Sequence, residues 1–144
     1  MTFWDSSALV PLLIAEPATP SLQALGERNG KKLVWWATEA ECASAITRRL
    51  RDRTLDSEGA AIAFQRLRHL ARVWDEIEPS SVVREAAIRF LRVHPLRAPD
   101  SLQLAAAFIA SEHRPMLVEF ISLDDRLLDA ARKEGFSVAD VGAN

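Results

Sequence analysis

Short apolar runs alternate with longer amphipathic ones along this chain, and the alternation predicts its elements. Thr2-Phe3-Trp4 reads as a short strand ending at Asp5. Ser7 to Ala15 reads as a helix, with Pro11 expected to perturb its first turns. Glu16 to Pro20 is a break, and Thr19 or Ser21 starts a second helix that ends near Asn29-Gly30. Leu33 to Ala37 is a strong strand. Thr38 opens a long helix to about Arg53, with Ala40, Ala43, Ile46, Thr47 and Leu50 on one face. Asp56 or Ser57 caps the next helix, which runs to about Arg72, and Val73 to Ile77 is a third strand. Pro79-Ser80-Ser81 begins a helix to about Val93, and His94 to Pro99 is a loop. Asp100 opens the apolar helix Ser101 to Ala110. Met116 to Leu123 is a fourth strand, Asp125 to Glu134 a helix and Phe136 to Ala139 a last short strand.

This order predicts a single α/β domain over residues 1–144, with a mainly parallel central sheet of about five strands and helices on both faces. In such sheets ligands sit outside the carboxyl ends of the strands, where the strand order reverses. The residues that follow a strand or open a helix are therefore the ones that bear on function.

Composition narrows the class. Hydrophobic residues make up 49% and charged ones 26% of the 144, which excludes intrinsic disorder and fibrous repeats. Cys42 is the only cysteine, so no intrachain disulfide forms and a reducing cytoplasm is the expected compartment. The longest apolar run, Ala8 to Ala15, is far short of the roughly 20 residues of a membrane span. Met1 to Asp5 has no basic region of an export signal. A net charge of −2 excludes tight non-specific nucleic-acid binding through charge alone, but not a nucleic-acid partner.

Four acids occupy strand-to-helix junctions. Asp5 follows the first strand, Glu41 lies in the first turn after the second, Asp100 opens the Ser101 helix and Asp124 follows the fourth strand. Each has an ordinary explanation, because acids at helix starts cap free N–H groups and complement the helix dipole. Thr38-x-x-Glu41 fits a capping box and Asp100-x-x-Gln103 resembles one. Taken together, the four converge on one sheet edge if the topology holds. No Lys or His neighbours them in sequence, and Arg97 and Arg126 near two of them cannot accept protons. Clustered carboxylates of this kind call for a divalent cation, and all-oxygen ligands favour Mg²⁺ or Mn²⁺ over Zn²⁺. A cation held with open water positions suits phosphodiester chemistry.

The residues around these acids carry a family pattern. Asp5-Ser-Ser-Ala-Leu-Val, Trp35-Trp-Ala-Thr-Glu-Ala-Glu-Cys-Ala-Ser-Ala45, Leu96-Arg-Ala-Pro-Asp-Ser-Leu-Gln-Leu-Ala-Ala-Ala107 and Phe120-Ile-Ser-Leu-Asp-Asp-Arg-Leu-Leu128 occur in order across nearly the whole chain. Together with Ala130 to Val138 they resemble PIN domains, most closely the VapC-type toxins of bacterial toxin–antitoxin pairs. The resemblance implies a PIN-like fold and a Mg²⁺- or Mn²⁺-dependent endoribonuclease with Asp5, Glu41, Asp100 and Asp124 at its catalytic metal site. It implies an RNA substrate, a homodimer and a cognate VapB-type antitoxin whose C-terminal segment covers the active-site groove. Operator DNA would be bound only through that antitoxin. A hydroxyl beside the first aspartate, Ser6 here, would orient it or a metal-bound water. Two departures stand out. Pro11 falls where the family often has a helix-friendly residue, and Asp125 duplicates Asp124. Asp124 is taken as the fourth acid because it directly follows the strand, which leaves Asp125 as a helix-start acid.

The remaining residues read more plainly. Arg48, Arg49, Arg51 and Arg53 complement a helix C-terminus on a solvated face, with an RNA-phosphate track as the alternative. Trp4, Trp35, Trp36 and Trp74 belong mostly to the core, with one of Trp35 and Trp36 facing outward. His69, His94 and His113 share no ligand spacing and read as surface or loop residues, and Cys42 reads as a small buried residue. The leading apolar positions Leu9, Val10, Leu12, Leu13, Ile14, Leu22 and Leu25 exceed one core stripe and are expected to border a partner groove. Rival functions are a receiver or phosphatase-like phosphoryl-transfer domain, a non-enzymatic PIN-like binding module, and cleavage of DNA. The first rival needs a lysine near a late strand end or an Asp-x-Asp after the first strand, but Asp5 is followed by Ser6 and Ser7 and no lysine directly follows the fourth strand.

Overall fold

In the computed structural model, which describes residues 1–141, five strands form one sheet: β1 (Thr2–Trp4), β2 (Lys32–Trp35), β3 (Asp75–Ile77), β4 (Glu119–Ile121) and β5 (Ser137–Val138). Every pairing is parallel and the order is β3-β2-β1-β4-β5. The crossovers carry α1 (Ser6–Leu13) and α2 (Thr19–Asn29), then α3 (Thr38–Arg51) and α4 (Ser57–Val73), then α5 (Ser81–Val93) and α6 (Ala98–Ala110), and finally α7 (Asp125–Lys133).

Side-chain alternation divides the interior into two layers. Phe3, Trp35 and Phe120 face one way and pack with α5, α6 and α7, where Phe90, Leu104 and Leu127 are wholly buried. Trp4, Val34 and Ile121 face the other way onto α1 to α4, where Leu9, Leu22, Cys42 and Ile46 are wholly buried. This is the expected α/β sheet covered on both faces. The strand order reverses beside β1, so the carboxyl ends of β1 and β4 define the crevice where ligands of such sheets bind.

Several boundaries differ from the sequence reading. Pro11 does not distort the start of α1. It sits buried in the sixth position and the helix ends two residues later, so one missing N–H interrupts little. The buried line of α3 is Thr38, Cys42 and Ile46, spaced by four, whereas Ala40 and Leu50 are exposed. Trp36 leaves β2 early and is 51% exposed, while Trp35 is core. Val73 ends α4 instead of opening β3, and Pro115–Leu117 forms a short 3₁₀ turn before β4. His94 is not a surface residue: it is buried, and its Nε2 meets Glu134 Oε2 at 2.6 Å, joining the end of α5 to the end of α7. Among the described residues no helix is long and apolar enough to cross a membrane.

Candidate active site

Asp5 stands at the end of β1, in the N-cap position of α1, yet its side chain makes no cap. Its Oδ2 instead accepts from Ser7 Oγ at 2.5 Å and from Ser122 Oγ at 2.8 Å. The two serines are held in turn. The Leu123 amide donates to Ser7 Oγ and the Asp124 amide to Ser122 Oγ. The ends of β1 and β4 are thereby locked around one buried carboxylate. The hydroxyl that orients Asp5 is Ser7, not Ser6; Ser6 lies beside Glu41 and favours that residue's charge. Ser122 escaped the sequence reading because its partner lies 117 positions away.

Glu41 lies in the first turn of α3. The capping box expected from Thr38-x-x-Glu41 does not form, because Ala37 is the N-cap and Thr38 is already helical. Glu41 Oε1 accepts from Gln103 Nε2 at 2.6 Å. The box imagined at Asp100-x-x-Gln103 also fails, since α6 starts two residues earlier, at Ala98, with Pro99 tolerated in the first turn. Asp100 therefore sits on the third residue of α6, makes no cap, and lines a cleft of about 360 Å³ with Pro95, Arg97, Asp124, Asp125 and Arg126. Asp124 is different. It is a true N-cap, its Oδ1 accepting from the amides of Arg126 at 2.9 Å and Leu127 at 3.1 Å.

The electrostatics show that the acids share a neighbourhood. Burial raises the Asp5 carboxyl above its ordinary value, against its two serine hydrogen bonds, and the Asp124 charge adds to the rise. Burial pushes Glu41 up to about 7, with the charges of Asp5 and Asp100 adding to it. Asp100 rises to about 6 through burial and the charges of Asp124 and Asp5, offset in part by Arg97. Asp125, exposed, enters none of these interactions, which favours Asp124 over its neighbour as the fourth acid. Cys42 beside Glu41 is pushed up to about 12 by its own burial, so it offers no thiolate.

The donor chemistry fits a hard divalent cation: Asp100, Asp124 and Asp125 line the cleft with no thiolate or imidazole and only arginines as counter-charges, and the charges of Asp5, Asp100 and Asp124 act on one another and those of Asp5 and Asp100 on Glu41. The acids are gathered without being closed into a ligand cage. Among the described residues no three His, Cys, Asp or Glu side chains are arranged to hold an ion as they stand. No lysine lines this cleft, as a receiver-type site would require. Lys31 and Lys32 open β2 at the opposite sheet edge, and Lys133 pairs with Asp129. The arginines near the end of α3 lie at the far end of that helix from Glu41, and Arg49 is engaged by Glu16, so they form a solvated face with one tether.

A five-stranded parallel sheet with acids gathered at its switch point defines a PIN-like α/β domain. Solved structures share this fold. A toxin–antitoxin complex from Klebsiella pneumoniae matches with a TM-score of 0.68 at 15% identity, over 97% of each chain. FitAcB from Neisseria gonorrhoeae also matches with a TM-score of 0.68, at 14% identity over 97% of each chain. No family model matches the sequence. Ribonuclease VapC47 of Mycobacterium tuberculosis (strain CDC 1551 / Oshkosh) is 31% identical over 144 residues, which is 99% of this chain and 98% of the relative. The chain belongs to the VapC ribonuclease family.

Proposed function

We propose that this chain, acting over residues 1–144 as one PIN domain, is the toxin of a type II toxin–antitoxin pair and a divalent-metal-dependent endoribonuclease. The observation that carries the reading is the company of the acids. Asp5, Glu41 and Asp100 are drawn toward one sheet edge, none of them caps a helix, and each raises or is raised by another's charge. Stability alone does not favour such a cluster. The full-length similarity to a VapC ribonuclease supports RNA as the substrate.

Asp5, Glu41, Asp100 and Asp124 would hold Mg²⁺ or Mn²⁺. Bound there, such an ion supplies an activated water and neutralises charge developing on the phosphodiester. The protein's own groups do the rest. Ser7 and Ser122 fix the rotamer of Asp5 through Oδ2. Gln103 holds Glu41 through Oε1. The Asp124 cap pins its carboxylate to the start of α7. Arg97 and Arg126 flank the cleft, where guanidinium groups suit the phosphates of a bound RNA.

Partners follow from the same reading. Of the leading apolar positions, Leu9, Leu13, Leu22 and Leu25 are core instead of groove, and the half-buried Val10, Leu12 and Ile14 on and just after α1 border the surface proposed for a VapB-type antitoxin, through which operator DNA would be bound. A homodimer and a cytoplasmic location belong to this proposal. Incubating the protein with defined RNA and single-stranded DNA, in Mg²⁺ and in EDTA, tests the activity. Cleavage of RNA in Mg²⁺ alone is expected. DNA cleavage only, or cleavage that survives EDTA, would refute it.

A further inference from the structure

Gln103 is the one wholly buried polar side chain of this region whose hydrogen bonds do not close. It lies on α6 one turn after Asp100, beside the equally buried Leu104, Ala105, Ala106 and Ala107. Both protons of its amide are engaged. One goes to Glu41 Oε1 at 2.6 Å and the other to Thr38 Oγ1 at 3.1 Å, joining α6 to the start of α3. Its Oε1 is buried without any partner. Rotating the amide by half a turn would set that oxygen against the Glu41 carboxylate, so the charge of Glu41 dictates its orientation. A buried acceptor left unsatisfied costs stability. What the amide offers in return is its pair of donors.

We infer that Gln103 is a positioning residue: it fixes the Glu41 carboxylate through Oε1 and so orients the group toward the cation or its water. This rests on the proposed metal-dependent ribonuclease site and adds a residue to it. Glu41 is only partly buried, and Ser6 beside it also favours its charge. Without Gln103 its carboxylate would keep its rotamer freedom. Carboxylates that ligate metals are commonly held by such partners, whose loss costs roughly 10–100-fold in affinity or activity.

The test compares wild type with Gln103→Met, which keeps length and volume but removes both donors, and with Gln103→His, which restores a ring N–H donor at similar reach. Glu41→Gln and the double variant Glu41→Gln/Gln103→Met complete a cycle. Mn²⁺ affinity is read by titration calorimetry, and RNA cleavage in Mg²⁺ is resolved into kcat and KM. Gln103→Met is expected to lose roughly 10–100-fold in Mn²⁺ affinity or kcat, with KM for RNA little changed. Gln103→His should recover part of that loss. The double variant should be no worse than Glu41→Gln alone, because Gln103 acts only through Glu41. Wild-type affinity and kcat in Gln103→Met would overturn the inference while leaving the site reading intact. Losses that multiply in the double variant, or a Gln103→His protein no better than Gln103→Met, would also overturn it. A wild type that neither binds Mn²⁺ nor cleaves RNA would overturn the site reading and the inference with it.

Discussion

Asp5 and Asp124 flank the same crevice but stand in different local chemistry. Asp124 is satisfied where it is, by two helix amides. Asp5 is buried, with two hydroxyls sharing its charge through Oδ2 and the Ser7 backbone also favouring it. The variants separate accordingly. Asp124→Ala removes a cap and is expected to cost about 1 kcal/mol of stability, whereas Asp124→Asn keeps the cap and should melt like wild type. Both should lose cleavage if Asp124 serves the cation; thermal denaturation beside a cleavage assay reads both halves. Asp100→Asn should leave the fold intact and raise metal-free stability slightly at pH 8, because Asp100 caps nothing and its neighbours repel it. Cleavage by that variant should fall by orders of magnitude, and wild-type cleavage would remove Asp100 from the site. Glu41→Gln keeps an acceptor for Gln103, so its melting should match wild type while cleavage drops roughly 100-fold, the usual size of a general-base or positioning loss. At this scale the acids were legible in the sequence because they fall where strands give way to helices. Whether each was a cap was not legible, since that depends on where a helix starts to within two residues. Ser122 and Gln103 were hidden because their roles come from partners distant along the chain.

Among the elements, α6 decides how near the two halves of the site come. Its Ala105, Ala106 and Ala107 are all wholly buried, so this helix has no solvated face over that turn. Small side chains let it lie close to its neighbours and bring Gln103 against α3. Ala106→Leu should therefore overpack the layer and cost about 1–3 kcal/mol, measured by urea denaturation. Cleavage should fall as well, because the displaced helix carries Asp100. Unchanged stability would mean that α6 has slack this structure does not show. The run Leu102 to Ala110 marked a buried helix in the sequence, and the β-branched and aromatic runs marked the strands. The face of α3 was right at Ile46 and Ala43 and wrong at Ala40 and Leu50, because alanines suit either a core or an exposed surface and Leu50 falls in the solvated last turn. Burial there is set by what α1 and α4 present, with Cys42 and Ile46 filling the gap.

For the molecule as a whole, strand order is the link between fold and function. The alternation of strands and helices predicted a parallel sheet, and the reversal beside β1 collects Asp5 from the first strand and Asp124 from the fourth. Metal-free protein should show the cost of that gathering. The carboxyls of Asp5, Glu41 and Asp100 are raised in the fold, Glu41 to about 7 and Asp100 to about 6. In the window between their ordinary values and these, the folded chain holds more protons than the unfolded one. Their contribution to stability is therefore present below about pH 4 and is lost as pH rises toward 7. A divalent cation should reverse this trend, because it binds the deprotonated carboxylates and competes with the protons.

The most direct measurement is thermal unfolding of wild type and Asp100→Asn with and without Mn²⁺, at pH 5.5 and at pH 8. At a hundredfold excess over its dissociation constant, Mn²⁺ should stabilise the wild type at pH 8 by about 2.7 kcal/mol, roughly 10 °C in Tm. The shift should shrink at pH 5.5 and nearly vanish in Asp100→Asn at either pH. A wild type that melts at the same temperature with and without Mn²⁺ at pH 8, or an Asp100→Asn protein stabilised as much as wild type, would contradict a cation site built on these carboxylates.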